Sequence, residues 1–295
     1  MPPSSDHAKG LTLTALGVIV ISPDSLLIRL ADLDVWTLSV WRGVLQAAGV
    51  TLLLACIYRG RTLAVFKAIG VMGLLLAVLF GINTLFFLTA MLNTKVANVL
   101  VIVATAPLFA AAMSYLFLRE AVTARTGFAI LAAIVGVALL VWDGLGQGTV
   151  FGEAMALLAA ALLAAKFVII RGRRTINLVP AMALSGLVIA VVALPFGRPS
   201  EVDQTQMLWV LIMGLAVLTP SAALTTFGGR FVPAPEASLL TLGETVLGPL
   251  WVLLALGERP TTLGFVGGAV ILSALVVNAA LGLARYRRAA AERRK

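Results

Sequence analysis

Apolar residues fill this chain in blocks of roughly twenty, separated by short polar interruptions, and no long stretch alternates apolar and polar positions. A helix needs about 20 mainly apolar residues to cross the hydrocarbon layer, whereas a membrane β-barrel needs alternation. The pattern therefore predicts helices. Ten blocks can be drawn, at 10–31, 36–58, 67–91, 96–117, 124–142, 152–170, 178–197, 207–227, 233–256 and 261–283. The longest connection, Gly197 to Gln206, is only about ten residues and leaves no room for a soluble domain. The expected fold class is an all-α polytopic membrane protein with ten transmembrane helices. The first block is too long for a signal-peptide core and lacks a clear small-residue cleavage site, so it is expected to stay as the first helix.

Composition agrees with this solvent: 61% of residues are hydrophobic and 12% charged, with a mean hydropathy of +1.06, against about 25% charged in a soluble domain. The net charge of +9 is uneven along the chain. Arg59, Arg61, Lys67, Arg119, Arg125, Arg171, Arg173, Arg174 and Arg230 fall in alternate connections or beside them, and Arg285, Arg287, Arg288, Arg293, Arg294 and Lys295 close the chain. Lys95, Arg198 and Arg259 mark the intervening connections. Short loops rich in Lys and Arg stay inside, so both termini are expected to be cytoplasmic. A basic tail at 285–295 next to a membrane helix is expected to meet anionic lipid headgroups, not nucleic acid.

One polar interruption occurs twice. Arg119-Glu120-Ala121-Val122-Thr123 leads to Gly127-Phe128, and Gly257-Glu258-Arg259-Pro260-Thr261 leads to Gly264-Phe265 about 138 residues later. Two units are expected, residues 1–143 and 149–284, followed by the tail. Five helices is an odd number, so the second unit enters the membrane from the opposite side, and inverted repeats of this kind build secondary transporters with a site near the midplane. At the same offset Asn98 matches Glu236, Pro107 matches Thr245, and Gly81-Ile82-Asn83-Thr84 matches Thr219-Pro220-Ser221-Ala222. Pro23, Pro107, Pro220 and Pro249 are the candidate helix kinks, because each removes a backbone hydrogen bond and frees a carbonyl that must avoid lipid.

The runs Lys95-Val96-Ala97-Asn98, Pro107-Leu108-Phe109 and Arg119-Glu120 resemble the first half of an EamA-type member of the drug/metabolite transporter superfamily. Val232-Pro233-Ala234-Pro235-Glu236, Glu244 to Trp251, and Gly257-Glu258-Arg259-Pro260 resemble its second half. One departure is Arg119, where the family usually has Gly. The resemblance implies ten helices with both termini inside and export of amino acids or related metabolites. It is strongest to the bacterial exporters of amino acids, aromatic ones included, which places the chain in a bacterial cytoplasmic (inner) membrane.

Charges inside helices are expensive, about 2.5–3.5 kcal/mol each at the bilayer centre on insertion scales. Asp24 and Arg42 lie about 10 Å deep from the same side at 1.5 Å per residue, close enough to pair as a structural bridge, a gate or a site for the ends of a zwitterion. Glu244 falls near mid-membrane and can bind a substrate ammonium, carry a coupling proton or remain a neutral acid between helices. Lys166 is expected to reach the headgroups and Glu236 to be solvated at the inner mouth. The candidates for the substrate cavity or gate are thus Asp24, Arg42, Asn83, Asn98, Ser221, Glu236 and Glu244. Trp41, Phe80, Phe86, Phe87, Tyr115, Phe227 and Trp251 can stack on aromatic substrates or simply pack. Gly264-xxx-Gly268 and Ala132-xxx-Gly136 have small-xxx-small spacing, so the fifth and tenth helices are expected to scaffold the two halves, with a homodimer through those faces as an option.

Other chemistries find no residues. His7 is the one histidine and falls in the N-terminal tail, Cys56 is the one cysteine, and no phosphate-binding loop is present. No catalytic residue, metal or cofactor is therefore expected. The predicted activity is export of amino acids by alternating access. Other small metabolites or drug-like cations as substrates, or a channel or lipid scramblase, are the alternatives.

Overall fold

The computed structural model describes residues 4–257 and 261–292. Glu258, Arg259 and Pro260, the heart of the second acidic motif, lie outside the described residues, as do Arg293, Arg294 and Lys295. In chain order the principal helices are α1 (Asp6–Ala31), α2 (Val35–Ala68), α3 (Gly70–Asn93), α4 (Val96–Leu118), α5 (Ala124–Leu140), α6 (Val150–Gly172), α7 (Val179–Ala193), α8 (Gln204–Gly229), α9 (Ala234–Ala255) and α10 (Thr262–Ala284). Eight of them are long and apolar enough to cross a membrane, which makes this a multi-pass membrane protein. The exceptions are α5 and α7, with 17 and 15 residues. They extend about 25 and 22 Å at 1.5 Å per residue, short of the ~30 Å hydrocarbon core.

Four of these helices are interrupted; in α2 the helix ends at Tyr58 and restarts at Thr62 after a 3-10 turn, Arg59–Arg61. In α1 the helix stops at Ser22-Pro23 and restarts as Asp24–Ala31. In α4 the break is at Ala104-Thr105, between Val96–Val103 and Ala106–Met113, where Pro107 has no N–H to continue the ladder. The break in α9 is at Leu242, between Ala234–Thr241 and Gly243–Leu256. Pro249, a candidate kink, lies within the helical segment Gly243–Leu256, seven residues beyond this break. At the break itself Thr241 and Thr245 donate their hydroxyls back to the Ser238 and Leu242 carbonyls, each at 2.6 Å, the kind of bond that bends helices. Pro220 opens the helical segment Thr219–Gly229 directly after a π-helical stretch, Ile212–Leu218.

The interruptions in α4 and α9 fall about 138 residues apart, as do two further features. Arg119 and Gly257 are both left-handed, with φ of 55° and 72°, and each ends its helix. Thr123 and Thr261 each accept a backbone N–H three residues on, from Thr126 at 3.3 Å and Gly264 at 3.1 Å, capping the start of α5 and α10. The sequence departure at Arg119 is thus a side chain placed where the backbone suits glycine. Arg119→Gly is expected to stabilise the protein by about 1 kcal/mol, read as a rise in the thermal unfolding midpoint of the purified protein.

Helices α5 and α10 pack together, and α2 packs on α7. A Cβ on Gly136 would meet Ile271 at 2.7 Å and the Gly267 carbonyl at 2.9 Å, and one on Gly267 would run into the Gly136 carbonyl. The seam between α5 and α10 therefore centres on Gly136 and Gly267, not on the pair Gly264 and Gly268, and Gly264 instead lines a cavity. These faces contact each other within the chain. Gly43 and Gly186 allow the same close approach of α2 and α7.

Candidate substrate cavity

A cavity of about 1030 Å³ lies within the bundle. Its rim carries Arg29 near the end of α1, Asp143 and Gly144 after α5, and Thr261 before α10. Its floor is reached at Lys166 and Phe167 of α6, Thr225 of α8 and Thr241 of α9. The mouth thus lies opposite the basic end, where Arg119, Arg173, Arg174 and Arg230 gather between helices. The volume matches that of small-molecule sites, about 300–1,000 Å³. The walls are mainly aliphatic, with Phe80, Phe87 and Phe265 among them, and the polar exceptions within include Gln46, Lys166, Ser221, Thr225, Glu244 and Thr245.

Glu244 reaches the cavity because α9 breaks just before it: the carboxylate stands in the first turn of Gly243–Leu256, where a helix dipole favours negative charge. It lies within electrostatic reach of Lys166, Asp24 and Arg42. Lys166 does not extend to the headgroups as expected. It is buried, with Nζ 3.9 Å from the centroid of the Phe80 ring and 5.5 Å from that of Phe167. Ala164, Phe167 and Ile170 are buried with it, and its contact with Phe80 turns residue 166 toward α3. Pro249 also lines the cavity. The Thr245 carbonyl, deprived of its helical donor by Pro249, is therefore next to a wettable space instead of lipid.

Of the seven sequence-derived candidates, Ser221 and Glu244 line this cavity. The other five do not, and each ties helices together. Asp24 accepts from both terminal nitrogens of Arg42 at 2.9 Å, joining α1 to α2. Arg42 also meets Met213 Sδ at 3.2 Å. Asn83 donates to the Ala159 carbonyl at 2.7 Å, joining α3 to α6. Asn98 donates to the Gly146 carbonyl at 2.8 Å and to Glu153 at 3.0 Å, holding the α5–α6 connection on α4.

Glu236 is buried, not solvated. Its carboxylate accepts from Arg125 at 2.7 Å and from the Thr126 hydroxyl at 3.3 Å, and His7 Nε2 is 3.6 Å away. Thr126 also contacts Asn278 at 3.4 Å, so a single carboxylate draws together α1, α5, α9 and α10. His7 is fully buried within α1 rather than lying in a free tail. Beside this cluster Arg171 grips Glu120 through three contacts of 2.8–3.1 Å and donates to the Arg230 carbonyl at 3.3 Å. Glu120 therefore braces α4 against α6 in addition to ending its helix. The Arg230 guanidinium stacks over Phe227 and Phe231 at 4.1 and 4.6 Å. The basic end is closed by these contacts and by the packing of Ala234–Thr241 on Ala106–Met113.

The aromatic candidates divide similarly. Phe80 and Phe87 line the cavity, and so does Phe265, which sequence reasoning missed. Trp41 donates to the Pro199 carbonyl at 3.3 Å and Trp251 to Ser22 Oγ at 2.8 Å, while Tyr115 is exposed on the outside of the bundle.

Comparison with solved structures finds a crystal structure with a TM-score of 0.79 and 18% sequence identity, covering 92% of this chain and 98% of its own. At that identity the likeness concerns the fold alone. No curated protein matches the chain. A family model does match, that of the EamA-like transporter family, over residues 8–142, from α1 to the end of α5.

Proposed function

We propose that this protein is a secondary transporter that exports amino acids, aromatic ones among them, across a bacterial cytoplasmic membrane by alternating access. The observation that carries the reading is the cavity: about 1030 Å³, mostly apolar, with Lys166 and Glu244 on its walls. That combination suits a small molecule with two opposite charges and an apolar side chain. The resemblance of the chain to the aromatic amino acid exporter YddG supports the same choice. Ten transmembrane helices in two inverted units, 1–143 and 149–284, with both termini cytoplasmic, belong to this proposal. The paired interruptions at Ala104-Thr105 and Leu242 and the paired left-handed residues Arg119 and Gly257 support it. In that orientation the basic end is cytoplasmic and the cavity faces outward.

Counterflow of radiolabelled phenylalanine in proteoliposomes tests the proposal. Saturable exchange that other amino acids compete for is expected. An unsaturable ion current would indicate a channel, movement of labelled lipid a scramblase, and stronger competition by a drug-like cation a different substrate class; each would overturn the amino acid reading.

A further inference from the structure

Among the described residues, Lys166 differs from the other buried charges in its choice of partner. Asp24 is satisfied by Arg42, Glu236 by Arg125 and Arg171 by Glu120, each through a direct ion pair of 2.7–2.9 Å. Lys166, though buried, rests its ammonium on the face of Phe80 at 3.9 Å, and both it and Glu244 line the cavity. A ring face offsets only part of an ammonium's lost hydration, up to about 2 kcal/mol. A carboxylate offers a charge-assisted hydrogen bond, roughly twice as strong as a neutral one. The cation is therefore held in place yet left with capacity for an anionic ligand.

We propose that Lys166 and Glu244 form a paired-charge subsite: Lys166 leaves the Phe80 ring to take the substrate carboxylate, and Glu244 takes the substrate ammonium. The proposal rests on the cavity being the substrate site and assigns the recognition to two residues. A zwitterion satisfies both charges at once. An amine without a carboxylate sets its own charge in the same pocket as Lys166, and an acid without an ammonium does the same to Glu244. Each truncated ligand leaves one of the two charges unanswered, which is how a site rejects an analogue lacking one group. The Phe80 ring, vacated by the ammonium, is then free to pack on the apolar part of the ligand, together with Phe87.

The test is competition against phenylalanine counterflow by phenylalaninamide, which lacks the carboxylate, and by 3-phenylpropionate, which lacks the ammonium. Wild-type protein is expected to favour phenylalanine over each by at least about 10-fold. In Lys166→Gln the preference over the amide should collapse while that over phenylpropionate remains, and Glu244→Gln should show the mirror result. Retention of the full preference over the amide in Lys166→Gln would overturn the assignment. Thermal unfolding of the detergent-solubilised full chain gives a readout independent of flux. Phenylalanine should raise the midpoint of wild type by more than it raises that of Lys166→Gln. If wild type exchanges no amino acid, the transport reading fails, and the Lys166 assignment stands or falls on that melting difference; equal shifts, or none, in the two proteins refute it.

Discussion

Glu236→Ala is expected to lower the stability of the folded protein by about 3–5 kcal/mol, the range for removing one partner of a buried ion pair. The loss is large because the carboxylate has several partners. Arg125 at 2.7 Å would be left with an uncompensated guanidinium, Thr126 would lose an acceptor, and His7, 3.6 Å away, would lose the charge that faces it. Glu236→Gln keeps an acceptor oxygen in place and should lose less. Arg125→Ala combined with Glu236→Ala should recover part of the loss, because no buried charge is then stranded. Denaturation in detergent, followed for all four proteins, measures these differences. A Glu236→Ala variant within about 1 kcal/mol of wild type would show that the cluster is a solvated rim and not a buried lock. Because the carboxylate joins four helices at the basic end, the same variant should also admit thiol reagents from that end to a cysteine placed at Thr241, on the cavity floor.

The contrast between Glu236 and Lys166 shows where the sequence was legible. Blocks of apolar residues located the helices closely, since a membrane-crossing helix must be apolar along its whole length and its ends are marked by Thr123, Arg119 or Gly257. The pairing of Asp24 with Arg42 was also within reach, because both are charged, both lie inside helices and both lie at similar depth. Depth alone, however, says nothing of the face on which a residue lies. With apolar residues on all sides of a membrane helix there is no amphipathic stripe to tell cavity from lipid, and so Lys166 was assigned to the headgroups and Glu236 to solvent. His7 was misplaced for a related reason: helix α1 begins before the apolar block does, since Asp6 and His7 are already helical. The interruption of α9 at Leu242 left no proline signal, and only its offset of 138 residues from Ala104 could have located it.

A covalent link between the second half of α4 and the first half of α9 is expected to abolish exchange, with a fall of at least about 100-fold. Ala106–Met113 packs directly on Ala234–Thr241, whereas the other halves of the same helices, Val96–Val103 and Gly243–Leu256, contribute to the cavity walls beyond the breaks. The breaks at Ala104-Thr105 and Leu242 lie between the closed and open portions, so they are where α4 and α9 can bend for one end to part as the other meets. Cysteine pairs spanning the two packed segments, introduced with Cys56→Ser because Cys56 is exposed, should cross-link in this conformation and hold it. Phenylalanine counterflow should then stop and return when a reductant is added. The cavity mouth stays open in the linked protein, so phenylalanine should still raise its unfolding midpoint. Binding without flux is the signature of a carrier held in one of its two states, because a ligand cannot be released on the far side by a protein unable to leave the first. A channel through the bundle needs no such alternation, and undiminished exchange in a fully cross-linked protein would end the alternating-access proposal.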